Sequence, residues 1–245
     1  MNKKIGLFAF TFALVLSIFT ISGLNLSAYS ESEIVPQPDV MCDPNLGCLI
    51  SEYTEDVSYN VVSYSQRLTS NPDYRTIYMH TDFGITHCSS NIYDGGCAVA
   101  SMTMLINYYR GYSTQVVSLT SVNDTVENSC SYSYTHFEEA YPNDVLHSFI
   151  SSTTYTNKTQ ILQLIGPKIN ATHLAILGVK TNTGATHFVV VSGYTRKTSI
   201  FENATVVTYS ELKITDPANS NRNTLSLLLA NYPMVYRIHV YEDIN

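Results

Sequence analysis

The chain has 245 residues, of which 44% are hydrophobic and 13% are charged, and its formal net charge is −7. That length suits one domain, or one domain with an N-terminal extension, and the hydrophobic fraction can supply a core. The sequence carries no cluster of lysine and arginine beyond its N-terminus. Nucleic acid is therefore not expected as a partner, because its recognition needs a basic surface.

The N-terminus has the layout of a secretory signal, with Lys3 and Lys4 ahead of an uncharged apolar stretch at 5–28. Small residues at 28 and 30 occupy the positions that a signal peptidase reads, so we predict a signal peptide over 1–30, cleaved before Glu31. The alternative is an uncleaved membrane anchor, because the stretch is long enough to span a bilayer. We expect a secreted or extracytoplasmic protein without a stable membrane partner, or a cell-surface protein if the segment is retained.

Residues 31–76 are predicted to form an N-terminal extension ahead of a domain at 77–245. The extension begins with acidic residues, carries Pro36 and Pro38, and shows only weak periodicity. Two interpretations remain open. It is either a pro-segment that covers the active site until it is removed, or a spacer or first strand of the domain.

The sequence contains five cysteines, Cys42, Cys48, Cys88, Cys97 and Cys130. An exported protein can form disulfides, and an odd count leaves one thiol over. Cys42 and Cys48 flank a short turn and could pair locally. Cys88 and Cys130 would then form a second bridge, which would leave Cys97 free.

The first half of the domain is predicted to be mainly helical after a short strand at 75–79. Predicted helices span residues 97–110, 142–150 and 158–165, and predicted loops span residues 80–94 and 113–133. The first helix is apolar nearly all round, which indicates a buried helix, and Gly111 suits its C-terminal end. Asn143 and Asn157 suit the N-cap positions of the other two helices.

The second half is predicted to be mostly antiparallel strands. Predicted strands span residues 173–179, 186–194, 206–209, 212–215 and 234–241, with a short helix at 225–229. The first two strands flank turn residues and predict a hairpin. Because helices come first and strands follow, the predicted class is α+β.

Cys97 is the candidate nucleophile. It follows Gly95-Gly96, which lets a substrate approach closely, and it opens the predicted buried helix. A helix N-terminus favours a thiolate, and its free N–H groups can bind an oxyanion. The alternatives are a buried structural cysteine or a further disulfide partner.

His187 and Asp216 are the candidate partners of Cys97. His187 begins a predicted strand, and Asp216 ends one just before Pro217. A cysteine nucleophile needs a base, and the base needs a group that orients it from its other nitrogen. Each residue also has a simpler interpretation, His187 as a rim residue and Asp216 as a turn opener.

These residues lie in segments that resemble the papain-like C39 cysteine peptidases, specifically the stand-alone C39-like domains of exported bacterial proteins. The matching segments are residues 96–102, 106–109, 186–194 and 214–217, and the resemblance extends from about residue 75 to the C-terminus. The order of Cys97, His187 and Asp216 is that of the family. A papain-like fold is therefore expected, with a buried helix carrying the cysteine and a C-terminal antiparallel sheet carrying the other two residues.

The resemblance also implies the role of each site residue. Cys97 would be the nucleophile, His187 the base, and Asp216 the residue that orients the base. The family normally has an oxyanion-binding Gln six positions before the cysteine. In this sequence that position is Asn91, which is one methylene shorter but carries the same donors.

The remaining histidines do not indicate a metal site, because the sequence lacks the paired spacing of zinc ligands. No metal or cofactor is therefore expected. His173 is the nearest alternative to His187 as the base, although the residues after it are equally typical of a core strand.

The predicted function is an exported cysteine peptidase that hydrolyses peptide or protein substrates through an acyl-enzyme. One alternative is a catalytically inactive C39-like protein that serves binding or adhesion. Another alternative is a papain-like acyltransferase or amidase with the same residues and a different acceptor.

Overall fold

The computed structural model describes residues 41–70, 72–81, 86–112, 116–131 and 133–244. The predicted signal peptide, its cleavage site and the beginning of the predicted extension lie outside these residues. None of the helices within the described ranges has both the length and the apolar character needed to cross a membrane.

The described residues form nine strands in two antiparallel sheets. They are β1 (Cys42–Asp43), β2 (Gly47–Ser58), β3 (Tyr78–His80), β4 (His87–Asn91), β5 (Val145–Ser151), β6 (His173–Lys180), β7 (Thr186–Phe201), β8 (Thr205–Thr215) and β9 (Met234–Asp243). The large sheet has the order β1-β2-β7-β6-β9-β5, with β8 also paired to β7, and the small sheet joins β3 to β4. The predicted strands of the C-terminal half are thus confirmed as parts of one sheet.

The two central strands of the sheet are buried on both faces. Residues 174–179 of β6 and residues 187–194 of β7 are all buried, and both segments are rich in apolar and β-branched side chains. Such unbroken apolar stretches are typical of strands covered on both sides. The centre of the sheet therefore forms a large part of the core.

Six α-helices accompany the sheets within the described residues. They are α1 (Ile92–Gly95), α2 (Cys97–Tyr109), α3 (Leu119–Thr125), α4 (Tyr134–Ala140), α5 (Lys158–Ile165) and α6 (Leu225–Leu229). Every residue of α2 except Tyr108 is buried, and the helix packs against β7 and β6. The predicted buried helix is therefore confirmed, and the combination of helices with a large antiparallel sheet confirms the α+β class.

The predicted helix at 142–150 is wrong, because residues 145–151 form β5, which pairs with β9. Pairing with a distant strand decided the conformation here, and no local pattern contains that information. The Pro142-Asn143-Asp144 segment is a turn, in which Asp144 forms an ion pair with Arg110 at 2.6 Å. Asn143 is thus a turn residue and not a helix cap. Asn is common at both kinds of position, so the residue type alone could not distinguish them.

The two predicted loops are wrong in part. Residues 80–94 contain β4 and α1, and residues 113–133 contain α3. Ser118 caps α3 by accepting a hydrogen bond from the Ser121 backbone N–H at 3.0 Å. Leu119 and Val122 are buried at helical spacing. This short helix had a sequence signal that the polar composition around it obscured.

The described part of the predicted extension contributes β1 and β2 to the large sheet. β2 pairs with the second half of β7, from Leu49 opposite Phe201 to Ser58 opposite Gly193. At Gly193 the strands approach so closely that an added Cβ would lie 2.2 Å from the Val57 carbonyl oxygen. Only glycine fits this contact, which keeps β2 tightly joined to β7. Removal of the extension as a pro-segment stays a prediction.

The disulfide pattern agrees with the local pairing suggested by the sequence. Cys42 is bonded to Cys48, and Cys88 is bonded to Cys130. All five cysteines lie within the described residues, and Cys97 is the free one. The second bridge holds β4, which leads directly to the segment before Cys97.

Candidate active site

Cys97 is the first residue of α2 and follows the single turn of α1. The Gly96 N–H donates to the Ile92 carbonyl oxygen at 2.8 Å, which closes this turn. A Cβ added at Gly96 would lie 2.5 Å from the same oxygen. A Cβ added at Gly95 would lie 2.4 Å from the Ser90 hydroxyl. The glycine pair therefore allows α1 and α2 to join in a bend that places Cys97 at a helix start.

The Cys97 side chain is buried but not sealed, with 8% of its surface exposed. Its Sγ lies 3.8 Å from the Gly95 carbonyl oxygen. The first N–H groups of a helix have no acceptor within the helix, so the Cys97 N–H is at a position suited to bind an anion. The surroundings of Cys97 therefore combine a thiol with the positive end of a buried helix.

Sheet register places His187 and Asp216 on the same side of the sheet. The last residue pair between β7 and β8 joins Val190 to Thr215. One step further, Asp216 lies beside Val189, and His187 shares a face with Val189 because side chains alternate along a strand. Diagonal neighbours of this kind are within reach of long side chains. The His187 Nε2 and the Asp216 Oδ1 are accordingly 2.9 Å apart.

His187 also interacts with Cys97, so it contacts both of its predicted partners. Because Nε2 faces Asp216, Nδ1 is the nitrogen left for the sulfur. Burial alone would lower the pKa of His187, but the hydrogen bonds to Asp216 and Cys97 outweigh it and raise this pKa to about 9. The imidazolium form of His187 is thus favoured at neutral pH.

Asp216 is fully buried and is held as a carboxylate. Its Oδ1 accepts hydrogen bonds from the backbone N–H groups of Ala218 at 2.7 Å and Asn219 at 3.0 Å. Its Oδ2 lies 2.8 Å from the Arg222 Nε. Burial raises the pKa of Asp216, but the contact with His187, the Ala218 N–H and the Arg222 charge lower it overall. The carboxylate can therefore orient the imidazole without taking its proton.

Tyr232 and Arg222 complete the surroundings of His187, and sequence reasoning missed both. The Tyr232 ring stacks on His187 with centroids 5.3 Å apart and planes at 24°. The Arg222 guanidinium lies 5.2 Å from the centre of the same Tyr232 ring. Their positions depend on contacts with the distant His187 and Asp216, and no local motif marks them. Both side chains therefore lie against the buried pair formed by His187 and Asp216.

Asn91 lies at the junction of β4 and α1, where its side chain acts as a helix cap. The Asn91 Oδ1 accepts a hydrogen bond from the Asp94 backbone N–H at 2.8 Å. This bond fixes the amide orientation and leaves Nδ2 as the available donor. Asn91 is half-buried, six residues before Cys97. The cap role was not part of the sequence prediction, although Asn is a common residue at helix starts.

His173 lies far from the candidate site. It pairs with Glu242 at the start of β6, whereas His187 pairs with Val179 near the end of that strand. Six residues of strand separate these positions by about 20 Å. The alternative base is therefore remote from the His187 side of the sheet. In the part of the chain that the structure describes, no group of three His, Cys, Asp or Glu side chains could hold a metal ion.

Comparison with known proteins identifies the family. A model of the Peptidase_C39 like family matches residues 60–240, which is most of the chain. The matched range includes Asn91, Cys97, His187 and Asp216. Searches of curated proteins and of solved structures found no match. The resemblance expected from the sequence motifs is thus confirmed at the level of the family.

Proposed function

Because the chain belongs to the C39-like peptidase family, we propose that it is an exported cysteine peptidase that hydrolyses peptide bonds. In this proposal Cys97 is the nucleophile, His187 the acid and base, and Asp216 the residue that orients His187. Asn91 and the Cys97 N–H form the oxyanion site. The substrate is a peptide or protein, and no cofactor takes part.

The first half of the reaction forms an acyl-enzyme. The Cys97 thiolate attacks the carbonyl carbon of the scissile bond, and the new oxyanion accepts hydrogen bonds from the Cys97 N–H and the Asn91 Nδ2. Collapse of this intermediate breaks the C–N bond, while the His187 imidazolium gives its proton to the leaving amine. The raised pKa of His187 supports this step, because the proton donor is then charged at neutral pH.

The second half regenerates the enzyme. His187, now neutral, takes a proton from water as the water attacks the acyl carbon. The C–S bond breaks, the carboxylic acid product leaves, and the thiolate and imidazolium are restored. Asp216 stays ionised throughout and stabilises the imidazolium, as an orienting carboxylate does in related triads.

One observation carries the proposal. The free cysteine of the chain begins a buried helix and interacts with a histidine whose other nitrogen is hydrogen-bonded to a buried carboxylate. Structural cysteines do not need this combination, whereas a cysteine nucleophile does. The two disulfides further support an exported protein, because such bonds persist in oxidising compartments.

The direct test is hydrolysis of fluorescein-labelled casein by the wild type and by Cys97→Ala. The variant is expected to lose hydrolysis at least about 10³-fold, because the nucleophile is gone. Ser101→Ala is a matched control, since Ser101 is a buried polar residue one turn further along α2. The control should keep hydrolysis. Equal hydrolysis by the wild type and Cys97→Ala would contradict the proposal.

A non-catalytic binding protein is the second candidate, and one observation favours it. Cys97 and His187 expose only 8% and 4% of their surfaces, so substrate access to them is narrow. A folded wild-type protein without Cys97-dependent hydrolysis would support this candidate. An acyltransferase would instead show Cys97-dependent transfer to an added amine acceptor in the same assay.

A further inference from the structure

A strap, residues 59–68, runs beside the candidate site in the region predicted to be an extension. Near its start, the Tyr59 N–H donates to the Ser192 carbonyl oxygen at 2.7 Å. The Val62 N–H then donates to the Tyr112 hydroxyl at 2.6 Å, beyond the C-terminal end of α2. The strap continues to the segment before Cys97, at the opposite end of the helix. It therefore connects the regions at the two ends of α2.

Gln66 connects the strap to both halves of the candidate site. Its Nε2 donates to the Tyr93 carbonyl oxygen at 3.2 Å, in the α1 turn that precedes Cys97. Its backbone N–H donates to the Pro217 carbonyl oxygen at 3.1 Å, in the residue after Asp216. One residue thus links the peptide segments that carry Cys97 and Asp216. Gln66 is 2% exposed, so water does not compete for these bonds.

Tyr93 is held by three groups from the strap and the segment that follows it. Besides the bond from Gln66, the Tyr93 N–H donates to the Tyr74 carbonyl oxygen at 3.2 Å. The Arg67 guanidinium lies 5.7 Å from the centre of the Tyr93 ring. These contacts fix the α1 turn from outside, and this turn determines where α2 begins. The position of Cys97 therefore depends on a segment about 30 residues earlier in the chain.

We propose that Gln66 is a positioning residue for the candidate active site and that the strap is a permanent part of this site. The inference rests on the proposed function and adds to it a residue that sets the distance between Cys97 and the His187–Asp216 pair. It also decides between the two interpretations of the extension. A cover that is removed through residue 76 would take Gln66 with it, so the active protein must keep the strap.

A substitution of the buried Gln66 can test whether it positions the site without also lowering the stability of the fold. Its Oε1 is buried and has no hydrogen-bond partner among the residues that the structure describes. An unpaired buried acceptor destabilises the folded state. Gln66→Met has a similar length and removes this acceptor together with the Nε2 donor. The two effects oppose each other, so we expect the melting temperature to change by no more than about 3 °C.

The test compares iodoacetamide labelling of Cys97 in the wild type and Gln66→Met across about pH 5 to 9. In the wild type we expect labelling to stay fast at mildly acidic pH, because His187 remains an imidazolium that pairs with the thiolate. In Gln66→Met we expect labelling near pH 5.5 to fall about tenfold, because misplacing the sulfur relative to His187 weakens this pair. The difference should shrink towards pH 9, because an ordinary thiol, with a pKa of about 8.5, is largely ionised there without help from an imidazolium.

Gln163→Met is the matched control, because Gln163 is an exposed residue on α5. It should label like the wild type at every pH. If the wild type labels fast at mildly acidic pH and Gln66→Met labels at the same rate at every pH, the positioning role of Gln66 is overturned and the proposed function is not. Slow wild-type labelling at mildly acidic pH would instead contradict the proposed function. The intact mass of hydrolytically active protein should include residue 66, and an active form beginning after residue 68 would overturn the role of the strap.

Discussion

His187 and Asp216, the sheet side of the candidate site, are positioned by neighbouring strands of the central sheet. Cys97, the cysteine side, lies at the start of a helix whose position is set by loop contacts and by a disulfide. On the sheet side, many residue pairs between β7 and β8 fix the register of the two strands, and this register brings the two side chains together. On the cysteine side, placement depends on the Gly95-Gly96 bend, the contacts of Gln66, and the bridge from Cys88 to Cys130. The sheet side has many equivalent supports, while the cysteine side has a few separate ones.

This difference means that the cysteine side should be the easier one to disturb. Losing one hydrogen bond of a long ladder leaves its neighbours in register. The contacts around α1 are few and differ in kind, so losing one of them removes a larger share of what positions Cys97. Changes on the cysteine side are therefore expected to alter the site while most of the fold remains.

The largest expected effect on stability separates the two disulfides. Replacing Cys88 and Cys130 by serine opens a loop with a sequence separation of 42, and replacing Cys42 and Cys48 opens one of 6. Loop-closure entropy predicts losses of about 4 and about 2 kcal/mol of unfolding free energy. Urea unfolding measures both. The first double variant should also slow Cys97 labelling, and the second serves as its control. Equal losses and unchanged labelling would contradict the account of the cysteine side.

The next effect tests the electrostatics of the sheet side. The pKa of His187 is about 9 in the folded protein against an ordinary value of 6.5. The folded state thus binds the extra proton, so the stabilisation is complete below about pH 6.5 and is lost as the pH rises to about 9. Its size is about 3 kcal/mol. Urea unfolding at both pH values should show this loss in the wild type and a smaller loss in His187→Gln. Equal losses would refute it.

The smallest expected effect separates the two roles of Asn91. Asn91→Asp keeps the oxygen that accepts from the Asp94 N–H but removes the amide donor. Stability should change by less than about 0.5 kcal/mol, because the cap remains. Casein hydrolysis should fall about 10²-fold if the donor binds the oxyanion. Asn91→Ala loses both groups, and its stability should fall by about 1 kcal/mol. Full hydrolysis by Asn91→Asp would limit Asn91 to the cap.

The sequence predicted the features whose signals are local. The apolar character of α2, the glycines before Cys97 and the apolar strands around His187 all lie within short segments, and the structure contains these elements where expected. The order of Cys97, His187 and Asp216 along the chain indicated the family. The signals for the helix and the strands depend on neighbouring residues alone, which is why single-sequence reasoning could use them.

The sequence failed where pairing at long range decides the structure. The local pattern predicts a helix at 142–150 where the structure has β5, because the strand that pairs with β5, β9, lies about 90 residues later. Sequence reasoning missed Gln66, Arg222 and Tyr232. Each of them is placed at the site by contacts that form only in the folded chain, and no local sequence pattern marks these contacts. Local patterns carry little information about such contacts, because tertiary packing overrides local preference.

The most direct test of the central claim is iodoacetamide labelling of the disulfide-bonded wild type at about pH 5.5, followed by peptide mapping. His187→Ala is labelled in parallel. The account predicts that Cys97 alone carries the label and that it reacts at least about tenfold faster in the wild type than in His187→Ala. Absence of label at Cys97, or equal rates in the two proteins, would contradict a thiolate that is activated by His187.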